Sequence, residues 1–267
     1  MIVDWIYNNP TWLWGSVLVV AFTAVACGGL FVFHRLVPLE VRKDHNELAG
    51  FTIAVIGVVY AVLLAFIAIA TWESFSKAND LVEAESDLAG EIYLDTQGLP
   101  RDMGEDIRNH VSQYVSTVID EEWPTQRTGK TPDQGWKPLR NLNTAIATMQ
   151  PQNPGQAVIE AELLKTWDEL YLARSSRLST VEVHVPAVIW WIIFLGGAIT
   201  TGYTYLFGFR SFGMHLAMTA TMAAILALVV VLIVALDRPF RGDISISPDA
   251  FIMTQRSWGG LSFEKQK

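Results

Sequence analysis

The sequence has 267 residues, 51% of them hydrophobic and 17% charged, with a mean hydropathy of +0.29 and a formal net charge of −8. That is too apolar and too charge-poor for an ordinary water-soluble domain, and the acidic balance excludes a basic nucleic-acid surface as the main function. A single cysteine, Cys27, excludes an intramolecular disulfide and any cysteine-based metal cluster within one chain.

The first apolar run, Trp12 to Phe33, holds no charge. At about 1.5 Å per residue it spans a hydrocarbon core of about 30 Å. Trp5, Trp12 and Trp14 precede or open it, where indole rings favour the headgroup level. Asp4 and the lack of Lys or Arg before the run argue for a retained span rather than a signal peptide. The second run, Phe51 to Thr71, is of similar length and equally free of charge.

A long polar insert follows, Trp72 to His184, enough chain for a small domain. Its first part continues the second helix, because Phe75, Ala78, Val82, Leu88 and Ile92 recur at helical intervals up to Gly98-Leu99-Pro100. A helix is predicted over Asp102 to Glu122, a loop over Trp123 to Pro138, and two further helices over Leu139 to Met149 and Gly155 to Glu182. Residues 73 to 106 carry ten acids against two bases. The acids read either as a solvated face or, with Glu73, Asp80, Glu83 and Asp87 as candidates, as a vestibule that concentrates cations.

The third run extends from Val185 to Phe209, and Pro186 suits its first turn. The fourth, Met214 to Leu236, stops at Asp237-Arg238-Pro239. Only Gly208 to Gly213 connects the two, which makes them antiparallel neighbours. The expected fold class is therefore an all-α membrane protein with four transmembrane helices and a helical extramembrane insert between the second and third. Its divisions are a first helix pair (1–71), a polar domain (72–184), a second helix pair (185–236) and a C-terminal tail (237–267). An even number of spans puts both termini and the insert on one side. Six basic residues flank the membrane there (Lys77, Arg174, Arg177, Arg238, Arg241, Arg256) against four opposite (Arg35, Arg42, Lys43, Arg210), which leans toward a cytoplasmic insert in a multi-pass cell-membrane protein, the inner membrane if bacterial.

No catalytic constellation is present: the sequence has no glycine-rich phosphate loop, nucleophile elbow or His-Glu-x-x-His, so neither an enzyme nor a cofactor is expected. The histidines (His34, His45, His110, His184, His215) are scattered, and no metal site is expected. Apart from His215 the spans carry no ionisable group, which argues against an ion-coupled pump but not against a passive pore. The second span holds the candidates for packing or pore lining. Ala54, Gly57, Ala61, Ala65 and Ala68 form a stripe of small residues that lets another helix approach closely. Beside it lie Ile53, Val58 or Tyr60, Leu64 and Ile67. The stripe serves either packing within one protomer or packing around an oligomer axis, with the larger residues as a hydrophobic gate. At the end of the fourth span, Asp237 and Arg238 either pair with interfacial polar groups, Arg177 and Glu73 being the candidates, or act as a plain stop signal before Pro239.

The segment His45-Asn46-Glu47-Leu48-Ala49-Gly50-Phe51, with Val55 to Phe66 and Trp72-Glu73-Ser74-Phe75, resembles the bestrophin-like family of bacterial and plant membrane proteins of unknown function. Leu236-Asp237-Arg238-Pro239-Phe240-Arg241-Gly242, Ser247-Pro248, and the Pro186, Trp190, Gly196-Gly197 pattern are similar to the same family. The resemblance covers essentially the whole chain. It implies a remote similarity to bestrophins, pentameric anion channels with four helices per protomer and a cytosolic helical domain. It does not extend to a phenylalanine neck, where this second span has Ala and Leu, nor to the calcium-clasp acids of animal bestrophins. Two readings follow: a homo-oligomeric ion channel or pore-like protein, a pentamer if the resemblance holds, or a non-conducting membrane scaffold or sensor whose helical domain binds a protein partner. Membrane lipid is the expected environment and nucleic acid is not an expected partner.

Overall fold

A computed structural model describes residues 2–43 and 46–263. His45, in the first family-like segment, and Asp44 lie outside them, as do Met1 and 264–267. The described residues form helices and turns with no strand, as the all-helical expectation requires. The helices are α1 (Ile2–Tyr7), α2 (Thr11–Leu36), α3 (Leu39–Lys43), α4 (Asn46–Asp95), α5 (Arg101–Thr117), α6 (Trp123–Arg127), α7 (Trp136–Ala147), α8 (Pro154–Ser179), α9 (Ala187–Thr204), α10 (Phe212–Leu236) and α11 (Asp249–Phe263). Four helical stretches are long and apolar enough to cross a membrane: α2, α4 with its extension to Gly98, α9 and α10.

The chain divides into two compact units. The first comprises Met1–Ser74, His184–Asp237 and Gly242–Ile244. Within it α2 packs most extensively on α10. They run antiparallel, since the early Gly15 meets Val231 while the later Phe31 meets Phe212. Gly15, Ala26, Ala223 and Ala227 are buried, and such small residues let the backbones come close. Tyr60, Leu64, Ile193, Val230 and Ile233 form its core. The Tyr60 ring lies where a Cβ on Gly196 would be, so the Gly196-Gly197 pair provides the space this ring occupies.

The apolar run predicted over Val185 to Phe209 is helical only from Ala187 to Thr204. Beyond that, Leu206 and Phe207 bond back only three residues, to Tyr203 and Thr204, so the aromatic segment is a turn. Hydropathy registers apolarity, not helicity. Ser211 then caps α10, its side chain accepting from the Met214 N–H.

The second unit comprises Phe75–Val183, Arg238–Arg241 and Ser245–Lys267. Its core unites Val82, Ile92, Ile107, Val111, Leu142 and Leu163 with Phe240, Phe251 and Trp258 from the tail. Two local expectations need correction. The predicted loop from Trp123 to Pro138 is helical at both ends, after a π turn over Val118–Glu122. Pro124 stands at the start of α6, directly after that π turn. The tail, read without a helix, contains α11. Its start is marked by Ser247-Pro248-Asp249, a polar residue, a proline and an acid in the order that opens a helix. In α11, Trp258 stacks on Tyr93 with ring centroids 4.3 Å apart.

Candidate functional site

α4 has one packed side along its whole length. Tyr60, Leu64, Thr71, Ala78, Val82, Glu85, Ala89 and Ile92 are buried, separated by three, four or seven positions, which keeps them in one helical phase. The opposite phase is exposed. In the apolar half it presents Val55, Val58, Val62 and Ile69; in the polar half, Glu73, Asp80, Asp87 and Glu91. A helix normally turns its apolar stripe inward and its polar one to water. Here the exposed side of the first half is apolar, as expected for a surface that meets lipid, another protomer or a pore.

The second-span candidates separate on this geometry. Tyr60 and Leu64 are 8% and 3% exposed, and Ile67 and Ala68 pack against the same core. The Tyr60 hydroxyl donates to the Ile193 carbonyl at 2.6 Å, giving it the partner a buried phenol needs. Ala54, Ala61 and Ala65 are exposed, and a Cβ on Gly57 would meet nothing. Ile53 is half-buried, whereas Val58 is 64% exposed. Val58 thus faces outward, as do Phe51, Val55, Val59, Val62, Phe66 and Ile69, while Tyr60 and Leu64 face the protomer's own helices.

Glu73, Asp80, Glu83 and Asp87 are all exposed, and Glu83 accepts from the Asn79 amide at 2.8 Å. The Asp237 carboxylate accepts from the Val185 N–H at 2.6 Å, which ties the end of α10 to the approach of α9. The Arg238 and Pro239 carbonyls accept from Arg241 and Ile246, so this segment turns back on itself. Arg177, offered from sequence as a partner for this motif, is committed elsewhere.

That commitment is a buried charge cluster which sequence reasoning did not assemble. Glu85, Glu122, Arg174 and Arg177 have no exposed surface. Arg174 grips Glu122 through both terminal nitrogens, with one donor at 2.8 Å. Arg177 donates to Glu85 at 2.5 and 3.0 Å and to Glu122 at 3.1 Å. The Tyr114 hydroxyl donates to Glu85, and the Gly135 N–H donates to Glu122 at 2.7 Å. The Trp136 ring lies 4.6 Å from the Arg174 guanidinium and Trp123 lies 5.6 Å from that of Arg177. Two cations offset two anions, as a dry interior requires. Burial pushes the Glu122 carboxyl up, but the hydrogen bond and charge of Arg174, with Arg177 behind it, hold it below its ordinary range. The same pairing commits Arg174 and Arg177 to the interior of the helical domain. Among the described residues no group of three His, Cys, Asp or Glu side chains is arranged to hold a metal.

The family profile named Bestrophin-like domain matches residues 20–251, and the chain belongs to the bestrophin-like family. No curated protein matches the sequence. Solved structures do. One variant of a bacterial bestrophin homologue from Klebsiella pneumoniae superposes with a TM-score of 0.68 at 12% identity, covering 91% of this chain and 98% of that one. A second variant of the homologue gives 0.67 at 12% identity over 89% and 98%. At such identity the likeness is one of fold: this is a bestrophin-like, membrane-protein fold.

Proposed function

We propose that the protein is a homo-oligomeric, bestrophin-like ion channel in which α4 helices from several protomers surround an axial pathway. One observation carries this reading. α4 keeps a continuous exposed phase opposite its packed side, apolar through Val55, Val58, Val62 and Ile69 and acidic through Glu73, Asp80 and Asp87. Around an axis, the apolar stretch acts as a constriction that gates by dewetting, and the acids form a vestibule favouring cations. The stripe of Ala54, Ala61 and Ala65 beside that phase suits close contact between neighbouring copies. The helical domain and both termini face the cytoplasm in this reading, and the family resemblance supports a pentamer.

The test is ion flux in liposomes containing the purified oligomer. Val62→Ser and Ile69→Ser raise flux by wetting the constriction, while assembly stays intact. Reversing Asp80 and Asp87 to Lys moves the reversal potential toward anions. A folded oligomer that passes no ions as wild type or as any of these variants defeats the channel reading and favours a scaffold whose helical domain binds a partner.

A further inference from the structure

The first unit contains a cleft of about 470 Å³ between α2 and α9, floored by Ala223 of α10. Its walls include Ala21, Phe22, Phe194, Ala198, Gly202 and Tyr205. None of its lining residues is charged, and they belong to, or directly follow, helices long and apolar enough to span a bilayer. The solvent at that depth is hydrocarbon.

The ends of the same two helices are bridged by a buried cation. Arg42 is 3% exposed. One terminal nitrogen donates to His34 Nδ1 of α2 at 2.7 Å, and the other approaches the Phe207 carbonyl, just beyond α9, at 3.5 Å. A guanidinium can only donate, so His34 accepts through Nδ1. The Arg42 Nε has no partner, and no carboxylate among the described residues pairs with this side chain. An arginine removed from water normally has an anion beside it. Here the described residues supply only neutral acceptors.

Cleft and cation share an end. The Tyr205 hydroxyl donates to the Ala26 carbonyl, and its ring lies 6.0 Å from that of Phe33, next to His34. From His34 back to Ala26 and Ala21 is roughly 12–20 Å of helix, at about 1.5 Å per residue. One leaflet of hydrocarbon is about 15 Å deep, half of a core of about 30 Å. We infer that this is a phospholipid site: an acyl chain lies in the α2–α9 cleft, and the headgroup phosphate is the anion beside Arg42. A phosphate offers the oxygen acceptors that a guanidinium fork matches, and the cleft accepts the chain without exposing a charged group to it. The inference does not depend on whether the protein conducts ions.

The test uses the full-length oligomer in detergent, stripped of lipid, with retained lipid read by native mass spectrometry and Tm by thermal unfolding. Phosphatidylglycerol is retained at one molecule per chain and raises Tm by several degrees. Diacylglycerol with the same chains, and inorganic phosphate alone, do neither. Arg42→Gln lowers retention about tenfold. So does Gly202→Leu, whose Cβ meets nothing within 4 Å and whose side chain enters the open cleft without disturbing the bundle. Retention at the wild-type level in a correctly folded Gly202→Leu oligomer overturns the inference. Equal protection by diacylglycerol removes the headgroup part of the site, and equal protection by inorganic phosphate reduces it to a free-anion site; either outcome overturns the proposal.

Discussion

Glu122 sits where an error of one proton matters. Its carboxyl is held below its ordinary range by Arg174 and Arg177. A carboxyl lowered on folding contributes stability above its unfolded pKa, about 4.3 for Glu, and that contribution is lost as pH falls through the folded value. Thermal unfolding of the helical domain's signal should therefore be flat near neutrality and weaken as the pH drops below about 4. Glu122→Gln should remove that acid dependence and lower stability at pH 7. Truncating one partner of a buried pair typically costs about 3–5 kcal/mol, because the other charge remains. Arg177→Met, which strands Glu85, should be as damaging, whereas the exposed Lys165–Glu162 pair should barely register on removal. Gly135 belongs to the same chemistry: a Cβ there would strike Arg174 and Glu122, so Gly135→Ala should cost as much as many larger core changes. The cluster was legible in part. Glu85 falls in phase with Val82 and Ala89, Glu122 in phase with Val115 and Val118, and Arg174 and Arg177 with Leu170 and Leu178. A charge in an apolar phase signals a buried partner. Which partner it meets depends on helices far apart in the chain, and no spacing rule reaches that far.

On α4, the distinction between Leu64 and Val62 is the sharpest test available to an element. Leu64 is packed against Ile193, Val230 and Ile233. Leu64→Ser should lower Tm, since it deletes packed methyl groups and adds a hydroxyl without an assigned partner. Val62→Ser, on the exposed phase, should leave Tm nearly unchanged and alter flux instead. Equal loss of Tm in both would mean that Val62 is also buried, by a neighbouring copy. Ala61→Leu should shift the purified protein toward smaller species if the small-residue stripe joins protomers, with overpacking of about 1–3 kcal/mol. The periodicity of α4 was clear from the sequence, yet the choice of packed phase was not. In a fully apolar run every phase is equally greasy, so hydrophobic patterning cannot tell a neighbouring helix from lipid. In the polar half the pattern is readable, because charges mark the exposed side. α11 is the converse case. Its opening motif was visible, and what makes it stable is the burial of Phe251 and Trp258 in the second unit. Removing residues from Ser247 onward should expose that surface and lower the domain's Tm by more than the loss of a free tail would.

For the whole molecule, orientation is the most accessible property to measure. A reporter after Lys267 and one in the loop Asp133-Gln134-Gly135 should lie on the same, cytoplasmic, side, and a tag at Asp44 on the other. Agreement between Lys267 and Asp44 would overturn four crossings. The four apolar helices, the helical character of the segment between them and the family could all be read from the residues, because length, hydropathy and local motifs are properties of contiguous chain and survive without tertiary context. Only the tertiary structure decided which side of α4 is packed, that Glu85, Glu122, Arg174 and Arg177 form one neutral cluster, and that Arg42 bridges the ends of α2 and α9 beside an apolar cleft. Each of those facts depends on side chains distant in sequence meeting at a few ångströms, and that proximity is created by packing rather than by any local preference of the chain.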